Sequence, residues 1–229
     1  MSQIAQQIAK VRQRIQQAAT LSGRDAGAIQ LLAVSKTQPI DQILAAIEVG
    51  QLAFGESYVQ EAIPKIEALA TARDDIEWHF IGPIQANKTM AIAQHFSWVH
   101  SIDRLKIAQR LSAQRPAHLP ELNLCIQVNI SGEASKSGVH SQALPELVQA
   151  IRGLDGLCLR GLMTIPAPST DPQAQRRPFA ELRELMLSLN TQGANLDTLS
   201  MGMSQDLEAA VAEGATIVRV GTDIFGPRR

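Results

Sequence analysis

The stretch TIVRVGTDIFGPRR, residues 216–229, decides how the chain is built. Thr216 to Val220 is β-branched and apolar apart from Arg219, the composition of a strand covered on both faces. Gly221 ends that run, and the eight residues after it are too few for a helix that could cover the strand. Seven similar runs precede it: LLAVSK (31–36), QLAFGES (51–57), EWHFIG (77–82), WVHSI (98–102), LNLCIQVNI (122–130), LCLRGLMTI (157–165) and LDTLSMG (196–202). Between them the apolar residues fall at helical spacing, as in Ile43, Leu44 and Ile47, or Phe179, Leu182, Leu185, Met186 and Leu189.

Strands that alternate with helices imply parallel pairing through right-handed crossovers, and eight such units close into a barrel. Since the last strand lacks a helix, another segment must fill that place. Ile4, Ile8, Val11 and Ile15 form a helical stripe, with Ser2 as N-cap and Gly23 as stop, so a helix over 2–22 is predicted there. The expected fold is α/β: a single-domain (β/α)8 TIM barrel spanning residues 1–229, its eighth outer helix supplied by the N-terminal helix. A doubly wound open sheet is the alternative, disfavoured by the regular strand spacing and the lack of a Gly-rich first turn. The proline-rich stretch PAPSTDPQAQRRP, 166–178, is predicted to be a loop over one barrel face.

Bulk composition narrows the function classes. With 229 residues, 45% of them hydrophobic and 19% charged, and a net charge of -1 without blocks of like charge, nothing points to nucleic acid or a membrane surface. Cys125 and Cys158 sit inside apolar runs and match no metal or redox spacing, and the five histidines show no paired ligand spacing. No apolar stretch approaches the ~20 residues of a membrane span, and the opening segment does not have the form of a signal peptide. A cytoplasmic location is expected, and a monomer, since the outer helices show no conspicuous apolar seam.

Barrels of this kind build their sites at the C-terminal ends of the strands. Lys36 ends the first run, where two readings are open: a solvated strand end, or a partly desolvated amine poised to attack a carbonyl. Ser200, Gly202 and Ser204 surround the turn after the seventh strand, with the backbone N–H groups of Met203 to Gln205 expected to face the barrel mouth; Gly221 and Thr222 follow the eighth. Loops seven and eight commonly hold a phosphate, although capping and turning alone would also account for these residues. Arg219 interrupts a buried strand and must have a partner, either an internal carboxylate such as Glu56 or Asp197, or a ligand above the mouth. A reactive amine, a phosphate cradle and a fixed guanidinium are together what pyridoxal 5'-phosphate (PLP) requires.

Assembled in this way, the sequence resembles the pyridoxal-phosphate homeostasis protein family, single-domain relatives of the alanine racemase barrel. The likeness is carried by AVSKTQP (33–39), FGESYVQEA (54–62), WHFIGPIQANK (78–88), VNISGEASKSG (128–138), GLMTIP (161–166) and LSMGMSQDLEAAVAEGATIVRVGTDIFG (199–226). It implies that Lys36 forms the aldimine, that Ser200, Gly202, Ser204, Gly221 and Thr222 surround the phosphate, and that Arg219 faces the pyridine nitrogen. It also implies that Lys136 is a basic residue near the phenolic oxygen. Two positions depart from the family pattern: Ser57 stands where an asparagine is usual, and Met90 near a usual lysine.

The expected function is to hold PLP for vitamin B6 and amino-acid homeostasis without strong turnover, with PLP-dependent apoenzymes as acceptors; a small amino-acid racemase with Lys36 as a latent base is the alternative. His79 is the one histidine expected near the cofactor, with a packed or capping role as the other reading.

Overall fold

The structure is a computed structural model that describes residues 2–70, 73–132 and 137–227. The predicted strands form β1 (Gln30–Val34), β2 (Ala53–Glu56), β3 (Glu77–Phe80), β4 (Trp98–Ile102), β5 (Leu122–Gln127), β6 (Leu157–Met163), β7 (Thr198–Ser200) and β8 (Ile217–Val220). They pair in parallel in the order β1 to β8, and β1 closes on β8 through Leu31 with Val218 and Leu32 with Arg219. The doubly wound alternative is excluded by that closure.

The helices are α1 (Gln3–Leu21), α2 (Ile40–Ile47), α3 (Val59–Ala70), α4 (Thr89–His95), α5 (Leu105–Gln114), α6 (Leu144–Arg152), α7 (Pro172–Thr191), α8 (Leu207–Ala212) and α9 (Thr222–Phe225). None among the described residues is long and apolar enough to cross a membrane.

α1 has the expected form. Ser2 caps it by accepting the Ala5 N–H at 3.2 Å, and Ile8, Val11 and Ile15 are buried where it packs on α2, α8 and α9. It thus covers the seam between the first and last strands, and among the described residues β8 is followed by the single turn α9. The stretch predicted as a loop over 166–178 differs: α7 starts at Pro172, because Asp171 caps the N–H groups of Gln173 and Ala174 and proline is tolerated in a first helical turn.

Strand alternation divides the core. Leu32, Ala53, Trp98, Cys125, Met163 and Ile217 pack inside the barrel, while a larger layer including Phe54, Phe80, Leu124 and Val218 joins the strands to the helices. The close pairing of β6 with β7 depends on Gly161, where a Cβ would lie 1.8 Å from the Thr198 carbonyl oxygen of β7. Since that neighbour is backbone, Gly161→Ala is expected to destabilise the fold by about 3 kcal/mol or more, read as a lower urea midpoint.

Candidate functional site

At the C-terminal end of the barrel lies a cavity of about 320 Å³, in the range of small-molecule sites. Lys36, Ser204, Arg219, Gly221 and Thr222 all line it, so five residues from the ends of the first, seventh and eighth strands meet at one cavity. Ser57 lines it too, whereas Met90 is an exposed residue of α4 away from the lining. Lys136 lies outside the described residues. A larger cavity, about 470 Å³, opens near the N-terminal ends of β1 and β2. Its polar groups are engaged internally: Arg12 donates to the Val49 and Gly50 carbonyls, and Gln51 to those of Leu31 and Ala53. Chemistry, rather than size, selects the smaller one.

β1 ends at Val34, and Lys36 stands beyond it in a turn in which Thr37 has a left-handed φ of 64°. The Thr37 N–H donates to Glu61 Oε2 at 3.0 Å, which helps hold that costly conformation. Behind the turn, Glu56 accepts from Ser35 Oγ at 2.7 Å and pairs with Lys65 at 2.9 Å, and Lys65 also donates to the Ser35 carbonyl at 3.0 Å. Burial raises the pKa of the Glu56 carboxyl against the opposing pull of Lys65. This network fixes the residue before Lys36 from the helix side of the sheet. Lys65, buried on α3, was not among the residues singled out from the sequence.

The loop after β7 departs from the sequence reading. Gly202 has φ 92°, and a Cβ there would lie 2.5 Å from the Ala210 side chain, so it lets α8 pack close and does not face the cavity. Its carbonyl accepts from the Arg219 N–H at 2.9 Å. The Met203 N–H, expected to face the mouth, donates to Asp206 Oδ1 at 2.6 Å. Asp206 itself lines the cavity, and burial raises its carboxyl pKa.

Arg219 is 4% exposed and binds neither carboxylate proposed for it. Glu56 is held by Lys65, and Asp197 pairs with Arg160 at 2.7 Å. Instead, Arg219 Nη1 donates to Ser200 Oγ at 2.8 Å and Nη2 to the Thr164 carbonyl at 2.9 Å. Burial lowers its pKa to about 10, so it stays charged at neutral pH. Ser200 is therefore a fully buried acceptor for Arg219 and does not line the cavity.

Ser200 also joins a chain of polar groups through the barrel interior. Its Oγ lies 2.7 Å from His100 Nδ1, His100 Nε2 lies 2.9 Å from His79 Nδ1, and His79 Nε2 lies 3.0 Å from Glu77 Oε2. Glu77 also accepts from Gln30 and Trp98, and its pKa falls to about 2 despite partial burial. Burial lowers the pKa of both histidines, so they are neutral at pH 7. Only one assignment then serves every contact: His79 Nε2–H donates to Glu77, His100 Nε2–H to His79, and the Ser200 hydroxyl to His100. His79 is thus packed inside the barrel and absent from the cavity wall.

An amine, a buried guanidinium without an ion-pair partner among the described residues, and hydroxyl-bearing turns are chemically suited to a small anion that also carries a carbonyl. The class of this barrel is that of the family model "Alanine racemase, N-terminal domain", which matches residues 6–229. The chain belongs to the pyridoxal phosphate homeostasis protein family. It is 59% identical to the protein of that name from Pseudomonas aeruginosa, over 100% of this chain and 97% of the relative. It is 51% identical to the one from Escherichia coli, over 100% of this chain and 98% of the relative. Among solved structures, PipY of Synechococcus elongatus with PLP bound is 36% identical, with a TM-score of 0.84 over 97% of this chain and 100% of PipY.

The buried pair predicts a spectroscopic result. At pH 7, imidazole nitrogen NMR should find His79 and His100 neutral and protonated on Nε2, and imidazolium signals or the other tautomer from either would contradict the assignment. In the unfolded chain both take up protons below about pH 6.5, so their contribution to stability is intact above that pH and is lost as pH falls below it.

Proposed function

We propose that this protein holds pyridoxal 5'-phosphate in the cavity at the C-terminal end of the barrel, as an aldimine of Lys36, and keeps it available to PLP-dependent apoenzymes inside the cell. The observation that carries the reading is that Lys36 and Arg219, from opposite ends of the sequence, line one cavity with Ser204, Gly221 and Thr222. PipY, solved with PLP bound, supports it over the full length of the barrel. The residues fit the group: Lys36 would supply the amine for its aldehyde, the turns after β7 and β8 would hold its phosphate, and Arg219 would be the donor for its pyridine nitrogen.

The same wall supports holding over turnover. When bound, PLP supplies an electron sink, which is strongest with its pyridine nitrogen protonated. Arg219 stays charged and is donor-only, so it leaves that nitrogen unprotonated and the sink weak. Racemisation also needs acid–base groups on both faces of the ring; neither Tyr58, the single tyrosine, nor any histidine is part of the cavity wall among the described residues, and its two carboxylates are engaged, Asp206 with the Met203 N–H and Asp223 with Arg14.

Adding PLP to the protein should produce a visible absorbance band, and borohydride should fix the cofactor on Lys36, as located by peptide mass. In Lys36→Ala both the band and that adduct should disappear. Wild-type protein that ignores added PLP would refute the proposal. Proton exchange at the α-carbon of free amino acids, sustained over many turnovers, would restore the racemase reading.

A further inference from the structure

Arg14, on α1, reaches the two loops that form the phosphate side of the cavity. Its Nε and Nη2 donate to Glu208 Oε1 and Oε2 at 2.7 and 2.9 Å, and Nη1 pairs with Asp223 Oδ2 at 2.5 Å. Nη2 also donates to the Ser204 carbonyl at 2.9 Å. Glu208 belongs to α8, Asp223 to α9, and Ser204 to the turn between β7 and α8, so one guanidinium ties three pieces of backbone together. Ser204 and Asp223 themselves line the cavity, beside Gly221, Thr222 and Arg219.

Two consequences follow from elementary geometry and charge. A trans peptide points its C=O and the following N–H in opposite directions. With the Ser204 carbonyl drawn to Arg14, the Gln205 N–H is turned to the side away from α1, on a segment that lines the cavity. Asp223 places a carboxylate on a wall meant for a dianion, and an uncompensated negative charge there repels phosphate. Arg14 compensates it from outside the cavity. Asp206, the other carboxylate on that wall, is turned to the Met203 N–H.

We infer that Arg14 is a positioning residue for the phosphate group: it orients the Ser204–Gln205 peptide and neutralises Asp223 without touching the ligand. The inference rests on the PLP reading above. A residue that only anchored α1 would affect every ligand of the cavity alike, whereas one that prepares the phosphate wall matters only for a phosphorylated ligand. The side chains of Arg14, Asp223 and Glu208 are 31%, 36% and 53% exposed, and ion pairs so exposed add little to folding, so substitution leaves the barrel intact.

The test is to titrate the full chain with PLP and with pyridoxal, which has the same aldehyde and ring but no phosphate, following visible absorbance. Arg14→Met is expected to weaken PLP about tenfold or more while changing pyridoxal less than about twofold. Arg14→Lys keeps one ion pair but loses the fork, and should fall between wild type and Arg14→Met. Equal losses for the two ligands, or no loss for PLP, overturn the inference. If Arg14→Met does not fold, Arg14→Lys combined with Asp223→Asn replaces it: recovery of PLP affinity over Arg14→Lys supports neutralisation, and no recovery overturns it. A wild-type protein that takes up neither ligand removes the PLP reading, and the inference with it; a wild type that takes up PLP alongside an unaffected Arg14→Met overturns the inference alone.

Discussion

A guanidinium cannot shed its proton to escape burial, and Arg219 is buried without an ion-pair partner among the described residues. Much of the barrel interior answers that constraint. Ser200 and the Thr164 carbonyl accept from Arg219, which commits the Ser200 hydroxyl proton to His100, orients His79 and ends at Glu77. Glu77, with a pKa of about 2, and Arg219, at about 10, are too far apart for the proton to move along this chain. The chain is therefore an ordered row of dipoles from cation to carboxylate. It keeps the charge at the mouth in one orientation, at the cost of two histidines that must stay neutral in the core.

The barrel was legible because its strands are covered on both faces and so read as continuous apolar runs, separated by helical spacing. The ends were overread by a few residues, as in β1, which stops at Val34, because Ser35 and Lys36 continue an extended-looking pattern into a turn. That Lys36, Ser204, Arg219, Gly221 and Thr222 would meet at the mouth of the barrel was legible because polar and small residues at strand ends stand out against apolar runs. Ser200 shows the same local signal but is one layer deeper. It pairs in register with Ile217, two residues before Arg219, and no reading of either strand alone reveals that register. Asp206 and Lys65 were missed because a charged residue at a helix start or on a helix face has an ordinary surface explanation. The histidine chain left a fainter trace. His79 and His100 each follow, two residues on, another interior residue, Glu77 and Trp98, so alternation would have placed both rings inside the barrel.

The placement of α1 over the seam between β1 and β8 also bears on the order in which the molecule is assembled. Arg14 and Asp223 are separated by 209 positions, and the β1–β8 ladder joins segments almost as distant. During synthesis from the N-terminus, the first helix can pack on α2 early, but the part of its apolar stripe that meets α8 and α9 stays exposed until the last strand has left the ribosome. The intervening αβ units can pair with their neighbours as they appear, whereas ring closure must wait for the whole chain. The walls around Arg219 and Ser204 lie at that late junction. A nascent or truncated chain can therefore carry most of the barrel and still lack the pocket, so formation of the binding site reports that the fold has been completed.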